Sequence, residues 1–252
     1  MRSKKRRILT VTENLQDDMD PNFNKPFVEH LEDLRKTVFN AVILLIAGLL
    51  IAIPCAPFVL ALAKVPMAKA GKDPEQFLQV IHIAGGFVLG MKVIFWTGIL
   101  FSAPLIVIAI ARFIMPGLKK RERAGVALGL SSSVVLFIAG ALVCYYITLP
   151  VAINMMFTVN GWLGIVVPWV ELSDYVSFVL KLLIAFGAAF ELPVVILTLG
   201  SIGVVSSALL REYRKHAMVA ILISAMILTP PDIFTQVLMA LPMIIPVSYT
   251  HL

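Results

Sequence analysis

Four long apolar runs divide this chain, and they limit its fold more than any other feature of the sequence. The runs cover residues 38–53, 87–113, 125–148 and 175–200. A helix that crosses the hydrocarbon core of a bilayer needs about 20 predominantly apolar residues. Because 60% of the 252 residues are hydrophobic and only 14% are charged, a water-soluble core cannot bury them all. The sequence therefore predicts an all-α, polytopic membrane protein.

Two shorter apolar runs, 217–228 and 237–247, follow the four long ones. A helix over the first of them would be about 18 Å long, against a hydrocarbon core of about 30 Å. Such a short helix crosses only where the bilayer thins or water enters it. We therefore predict six transmembrane helices, of which the last two are short. Pro54 and Pro57 are expected to end or bend the first span, and Pro104 to kink the second.

Basic residues mark one side of the membrane. The N-terminal segment and the segments 114–124 and 201–216 hold most of the Lys and Arg outside the spans, whereas 149–174 and 229–236 hold none. By the positive-inside rule, the N-terminus and both basic loops lie in the cytoplasm. Residues 58–86 then form an outer segment, whose apolar turns predict short helices or a cap.

The region before the first span divides into two parts. Residues 1–26 are polar and lack periodicity, which is typical of a disordered tail. Residues 27–36 place apolar side chains on one stripe, which predicts an amphipathic lead-in helix on the membrane surface. The transmembrane domain is therefore predicted to cover residues 27–246.

One ionisable residue, Glu191, lies near the middle of the fourth apolar run. A charged side chain at the centre of a membrane helix costs roughly 2.5–3.5 kcal/mol. The positions three and four residues away hold Gly187, Ala188, Val194 and Val195, so no basic residue of the same helix can pair with it. The carboxyl group must be protonated, hydrated or partnered by another helix or protein. A functional role is the default interpretation; a hydrogen bond to a neighbouring helix alone is the alternative.

The sequence lacks the motifs of common enzyme classes. It has no GxSxG or HExxH motif and no phosphate-binding glycine loop, and no histidine is central to a span. Cys55 and Cys144 have neither CxxC nor metal-ligand spacing. Ser131, Ser132 and Ser133 lie inside the third span, where hydroxyl groups more often bond neighbouring helices than take part in catalysis. We expect no enzyme activity, no cofactor and no metal. Because the basic residues flank spans, we expect lipid and not nucleic acid as their partner.

Two groups of acidic residues lie on the side that the basic residues mark. Glu29, Glu32 and Asp33 belong to the lead-in helix, and Glu122 interrupts the basic run KKRER. Acids on a positive surface can hold a guanidinium through two parallel hydrogen bonds. Spacing alone favours local salt bridges instead, between Glu122 and a neighbouring arginine and between Asp33 and Lys36.

Four stretches of the chain carry a family resemblance. They read EHLEDLRK (29–36), SAPLIVIAIARFIMPGLKKRE (102–122), DYVSFVLKLLIAFGAAFELPV (174–194) and TPPDIFTQVLMALPM (229–243). In order and spacing they resemble TatC, the multispanning receptor of the twin-arginine protein translocase, over about residues 27–245. The resemblance implies a cup-shaped helical bundle with a cytoplasmic site for the twin-arginine motif of folded export substrates.

The resemblance assigns residues to that signal-peptide site. Matched position by position, the site consists of Asp33, Glu122 and Phe113, and Arg35 is the arginine of the lead-in motif. Asp33 stands where the family usually has glutamate, so its reach is one methylene shorter and Glu32 is a substitute candidate.

The resemblance also assigns residues away from the signal-peptide site. Glu191 matches a membrane-embedded glutamate associated with contacts to a small single-span subunit, and Gln236 is assigned to the same docking function. Pro66 and Asp232 match family positions on the outer face, where we expect a structural or functional role.

The implied function is a twin-arginine signal-peptide receptor and translocon core, driven by the proton-motive force, in a bacterial or archaeal cytoplasmic (inner) membrane. Its implied partners are the signal peptides, small single-span subunits of the TatA and TatB type, and membrane lipid, within an oligomeric complex. Glu191 alone leaves a proton-coupled secondary transporter open as the alternative. Missing internal repeats and two very short helices weigh against that alternative.

Two further departures from the family pattern matter. Relatives commonly carry a Gln and a Trp in the stretch before Phe113, where this chain has 109–112 as Ala, Ile, Ala and Arg. The chain also breaks its last apolar run at Pro246 and ends in VSYTHL, whereas relatives complete the span and end in a basic tail. We interpret residues 247–252 as a non-native C-terminal read-through.

Overall fold

The structure, a computed structural model, describes residues 27–114, 120–201, 214–229 and 233–248, so the predicted tail at 1–26 lies outside it. Helices account for most of this part of the chain. In chain order the elements are α1 (Phe27–Lys69), α2 (Pro74–Phe77), β1 (Leu78–Gln79), α3 (Gly85–Ile114), α4 (Lys120–Val143), a π-helical turn (Cys144–Thr148), α5 (Leu149–Trp162), β2 (Val170–Glu171), α6 (Leu172–Ser201), α7 (Arg214–Leu228) and α8 (Ile233–Ser248).

Four helical stretches are long and apolar enough to cross a membrane, namely α1, α3, α4 continued through α5, and α6. Two shorter helices, α7 with 15 residues and α8 with 16, follow them. This element order confirms the predicted all-α polytopic fold with short final helices. Residues 247 and 248 of the predicted read-through belong to α8, and 249–252 lie beyond the described part of the chain.

The first helix differs from its prediction. The lead-in segment was expected to lie on the membrane surface, but α1 runs unbroken over 43 residues from Phe27 to Lys69. Its three prolines, Pro54, Pro57 and Pro66, do not end it. A proline removes one backbone N–H donor and leaves one carbonyl without its helical partner. A membrane helix tolerates this because neighbouring helices, side chains or water can bond that carbonyl.

The third span also differs from its prediction. It was expected to end at residue 148, but the helix continues through the π-helical turn into α5 and ends at Trp162. Pro150 lies in the first turn of α5, where a missing N–H group costs little. The wider π turn directly before it takes up the irregularity that a proline introduces into a helix. The second outer segment is therefore half helical.

Helix α6 is the centre of the bundle. In its most apolar window 56% of the residues are buried, compared with 11% for α1. Helix α6 packs against α3, α4 and α8, while α1 packs on α3 and α7 packs on α8. The described helices thus form three pairs, α1 with α3, α4 with α6 and α7 with α8. Helix α6 joins them through its contacts with α3 and α8.

Glycines allow the helices of each pair to approach closely. A Cβ atom at Gly48 of α1 would lie 2.6 Å from the carbonyl oxygen of Gly98 in α3. In the other pair, a Cβ atom at Gly140 would lie 2.7 Å from the carbonyl oxygen of Phe186. Small residues at helix crossings are typical of membrane bundles, because close backbone packing replaces the hydrophobic driving force that lipid abolishes.

The connections at one end of the bundle form a cap, defined here as residues 54–84 and 149–171. Strands β1 and β2 pair in parallel within it, Leu78 opposite Val170 and Gln79 opposite Glu171. The sequence predicted a folded outer segment but not these strands. The Tyr175 hydroxyl at the start of α6 donates a 2.9 Å hydrogen bond to the Ala63 carbonyl of α1 and fastens the cap to the bundle.

Substitution of Tyr175 by phenylalanine should loosen the cap without unfolding the bundle. The side chain is 5% exposed, so its hydroxyl group has little water to replace the lost partner. We expect a loss of about 1 kcal/mol and a melting temperature lower by about 2–4 °C for a domain of this size. Thermal unfolding of the purified protein in detergent would measure this. Tyr146→Phe, at a ring that is 57% exposed, is the control and should melt like the wild type.

Candidate functional site

A pocket of about 690 Å³ lies between the start of α1 and the end of α3, at the opposite end of these helices from the cap. We call it the α1–α3 pocket. Its lining residues follow helical spacing on both helices, so each helix contributes one face. They are Asp33, Lys36, Thr37, Asn40, Ile43 and Leu44 of α1 with Leu105, Ile108, Ala109, Arg112 and Phe113 of α3.

The α1–α3 pocket carries charges of both signs. Asp33 is half-buried, and the Thr37 hydroxyl donates a 2.9 Å hydrogen bond to its backbone carbonyl. Two cations, Lys36 and Arg112, also line the pocket. The Lys36 ammonium lies 3.5 Å from a carboxylate oxygen of Glu32, with both side chains more than 60% exposed. Such an exposed pair contributes little stability, but it partly neutralises Lys36.

The structure brings some of the predicted signal-peptide residues together. Asp33 and Phe113, which are 80 positions apart in sequence, line the same pocket. Glu32 and Arg35 are exposed and stand outside its lining. Glu122 belongs to the first turn of α4, but its side chain lies outside the described part of the structure. Its contribution to the site stays a prediction.

Two polar residues of the pocket, Thr37 and Asn40, were missed by the sequence analysis. They follow Asp33 by four and seven positions, the spacing that places side chains on one face of a helix. That spacing was the available signal. Arg112 was noted only as a departure from the family pattern, and it lines the pocket.

A second cavity, of about 700 Å³, opens between α3 and α4 in the half of the bundle nearer the cap. We call it the lateral groove. Its walls are almost entirely apolar, and Leu183 of α6 forms part of its floor. The other lining residues are Ile51 and Leu62 of α1, Leu100, Phe101, Pro104 and Leu105 of α3, and Val134, Phe137, Ile138, Ala141, Leu142, Tyr145 and Tyr146 of α4 and the π turn.

The pocket and the groove form one continuous face. Leu105 lines both cavities, and it marks the point along α3 where polar walls give way to apolar ones. The face therefore changes from charged at the start of α1 to apolar beneath the cap.

Glu191 is buried against α4. Its side chain is 2% exposed, and the Ser133 hydroxyl lies 2.7 Å from each of its two carboxylate oxygens. This contact agrees with the prediction that the serines of the third span bond a neighbouring helix. It also gives Glu191 a partner within the chain. Val134, the residue after Ser133, lines the lateral groove, so this buried pair lies beside the groove wall.

The remaining predicted residues lie elsewhere. The Gln236 amide of α8 donates a 3.3 Å hydrogen bond to the Leu222 carbonyl of α7, which ties the two short helices together. Pro66 is buried in the last turn of α1, and its carbonyl accepts a 3.0 Å bond from the Ala70 amide. Asp232 lies outside the described residues. Within the described ranges, no cluster of three His, Cys, Asp or Glu side chains is placed to hold a metal ion.

These features define a multi-pass helical membrane protein with a charged pocket at one end and an apolar groove along its side. Residues 29–242 match the family described as Sec-independent protein translocase protein (TatC). The chain belongs to the TatC family and is a component of a protein translocase, which confirms the resemblance seen in the sequence.

Individual relatives agree with this assignment. The chain is 34% identical over 221 residues to the Sec-independent protein translocase protein TatC of Aquifex aeolicus (strain VF5), a match that covers 87% of this chain and 90% of that one. It is 34% identical over 219 residues to TatC of Escherichia coli (strain K12), with 87% and 84% covered.

A solved structure shows the same fold. A crystal structure of the twin-arginine translocase receptor TatC in DDM superposes with a TM-score of 0.74 and 32% identity, over 88% of this chain and 97% of that one. None of these matches supports the transporter alternative.

Proposed function

We propose that this protein is the twin-arginine signal-peptide receptor of a translocase that exports folded proteins. The observation that carries the proposal is the α1–α3 pocket, which Asp33 and Phe113 both line, at the end of the bundle where the first turn of α4 holds Glu122. The protein acts in the cytoplasmic membrane with its N-terminus inside, and the proton-motive force drives transport. It works in a complex with small single-span subunits of the TatA and TatB type.

In the proposed mechanism, acidic groups hold the two arginines of the signal peptide. A carboxylate and a guanidinium form two parallel charge-assisted hydrogen bonds, a geometry that an ammonium group cannot copy. Asp33 takes one arginine, and Glu122 takes the other. Glu32 partly neutralises Lys36, which limits the repulsion between the pocket and an incoming cation.

The apolar part of the signal peptide follows the continuous face of the molecule. Beyond Leu105 the walls are apolar, so a hydrophobic segment gains burial there and an arginine does not. This direction leads along α4 towards the Ser133–Glu191 pair. A polar side chain of a single-span subunit docks at that pair.

The charges near the cap support the proposed orientation. Lys69 and Lys72 in the outer segment weaken a simple positive-inside argument, but both lie over aromatic rings. The Lys69 ammonium is 4.1 Å from the ring centre of Tyr146, and the Lys72 ammonium is 4.8 Å from that of Phe157. Lysines that stack on aromatic rings at an interface are anchored there by cation–π attraction and do not depend on cytoplasmic anionic lipid.

A comparison of two signal peptides tests whether Asp33 and Glu122 hold the two arginines. We expect a peptide with two arginines to bind the purified protein at least tenfold more tightly than one with two lysines, because charge-assisted hydrogen bonds contribute about 1.5–3 kcal/mol. Asp33→Asn should lower arginine-peptide binding by a similar factor, and crosslinking should be lost in the Asp33→Ala and Glu122→Ala double variant.

The control for this experiment is Glu32→Gln. It removes a neighbouring acid that stands outside the pocket lining, so binding should stay within about twofold of the wild type, the change expected for an exposed charge. Equal affinity for the two peptides would contradict recognition of the arginines by these carboxylates. A loss with Glu32→Gln but not with Asp33→Asn would move the site to Glu32.

A further inference from the structure

The lateral groove is open to the bilayer. Three of its lining side chains, Phe101, Ile138 and Leu142, remain 39%, 50% and 49% exposed. In a membrane these surfaces face hydrocarbon and not water. Some apolar molecule therefore fills the groove whenever no substrate is bound.

The end of the groove nearest the cap carries a positive charge. Tyr145 and Tyr146 form this end, and the Lys69 ammonium lies 5.9 Å and 4.1 Å from their ring centres. The Tyr145 hydroxyl donates a 2.9 Å hydrogen bond to the carbonyl of Leu62, another lining residue, and fixes the ring in place. Lys69 takes part in neither of the described ion pairs, Lys36 with Glu32 and Lys92 with Asp174.

This charged end lies at headgroup level. Tyr146 follows the start of α4 at Lys120 by 26 positions, or roughly 39 Å of helix. The hydrocarbon core is only about 30 Å thick, so Tyr146 and Lys69 reach the opposite headgroup layer. Paired tyrosines are typical of that layer. A phosphate group is the anion present there in the greatest amount.

The groove offers an apolar surface of suitable length for a lipid chain. From Val134 to Tyr145 it follows α4 for roughly 16 Å between apolar walls. An extended hydrocarbon chain that lies along this length is buried against those walls, and its headgroup then lies at the end that carries Lys69.

We propose that an anionic phospholipid of the outer leaflet is the resting occupant of the lateral groove. One acyl chain lies between α3 and α4, and the lipid phosphate pairs with Lys69. Lys69 has no carboxylate partner in the described ion pairs, so its charge selects anionic over zwitterionic headgroups, and a bound signal peptide displaces the lipid. The lipid site itself does not depend on the proposed receptor function, because it is tested without any peptide.

Lipid binding to the purified, delipidated full-length chain tests the proposal by native mass spectrometry. Phosphatidylglycerol and phosphatidylcholine with the same acyl chains serve as probes. We expect about fivefold preference for phosphatidylglycerol, the ratio that about 1 kcal/mol for one basic residue near an anionic lipid gives. Lys69→Ala should reduce this preference to less than twofold. Inorganic phosphate alone should not compete, because it has no chain to bury.

Two variants act as controls. Lys72→Ala removes a lysine that stacks on aromatic rings in the same cap, but its rings, Phe77 and Phe157, do not line the groove. This variant should keep the wild-type preference. Ala141→Trp fills the groove and should weaken binding of both lipids at least fivefold, with an unchanged melting temperature as the check on folding.

Three outcomes with the variants would overturn the lipid site. They are an unchanged preference in Lys69→Ala, an equal loss in Lys72→Ala, and wild-type lipid binding in a folded Ala141→Trp variant. Full competition by inorganic phosphate would also contradict the site, because the acyl chain would then contribute nothing.

Discussion

Gly98→Ala is expected to destabilise the protein by about 2–3 kcal/mol, at the upper end of the range for overpacked sites. A Cβ atom at this position would lie 2.9 Å from the Cα atom of Leu49 and 2.6 Å from its Cδ2 atom. A backbone atom cannot rotate away, so α1 and α3 must move apart. Because Asp33 and Phe113 belong to these two helices, the α1–α3 pocket should widen and signal-peptide binding should fall with stability.

Gly90→Ala is the matched control for this prediction. It makes the same chemical change in the same helix, but a Cβ atom at Gly90 meets no atom within 4 Å. Replacing a helical glycine by alanine otherwise favours the helix by about 1 kcal/mol. The control should therefore melt at or above the wild-type temperature. If Gly98→Ala melts as high as Gly90→Ala, the close crossing of α1 and α3 is not needed for stability.

Glu191→Ala is expected to reduce copurification of the single-span subunit by about tenfold while signal-peptide binding changes much less. Hydrogen bonds inside a membrane contribute about 1–2 kcal/mol each, which corresponds to roughly 5–30-fold in affinity. A subunit that docks at Glu191 must replace or share the 2.7 Å contact with Ser133, because the carboxyl group is 2% exposed. Affinity purification of the tagged protein with its subunits would measure the change.

Ser133→Ala separates the two possible roles of Glu191. If Glu191 docks a partner, removal of Ser133 frees its carboxyl group, so subunit binding should be kept or strengthened although the isolated protein is less stable. If Glu191 only fastens α6 to α4, both substitutions break the same contact and should have the same effect on the subunit. Equal losses in the two variants would therefore favour the purely structural role.

The sequence predicted the spans well because membrane helices are encoded by length and apolar content alone. It did not predict how the helices continue. Pro54 and Pro57 were expected to end or bend the first span, and the helix does not end there. The third span was expected to end at residue 148, and the helix continues past Pro150. In or beside lipid, a helix is the way in which a chain satisfies its backbone groups. The strand pair at Leu78 and Val170 was also missed, since two-residue strands carry no periodic signal.

The candidate site was predicted only in part. The family resemblance named Asp33 and Phe113, and the fold brings them to one pocket. The Ser133 partner of Glu191 was suggested only by the presence of hydroxyl groups in an apolar run. The lateral groove could not have been predicted, because four helices contribute its walls and no single segment of sequence carries its pattern.

The strand pair in the cap connects two helices at the end of the bundle opposite the α1–α3 pocket. Leu78 precedes α3 and Val170 precedes α6, so their pairing links the starts of these two helices. Helix α3 has 30 residues, so roughly 45 Å of helix separates the strand pair from the end of α3 at the α1–α3 pocket. A 5° tilt of α3 about the cap would shift its end at the pocket by about 4 Å, which is more than the length of a hydrogen bond. Such a tilt at the cap would change the separation of Asp33 from the start of α4, although both lie at the opposite end of the molecule.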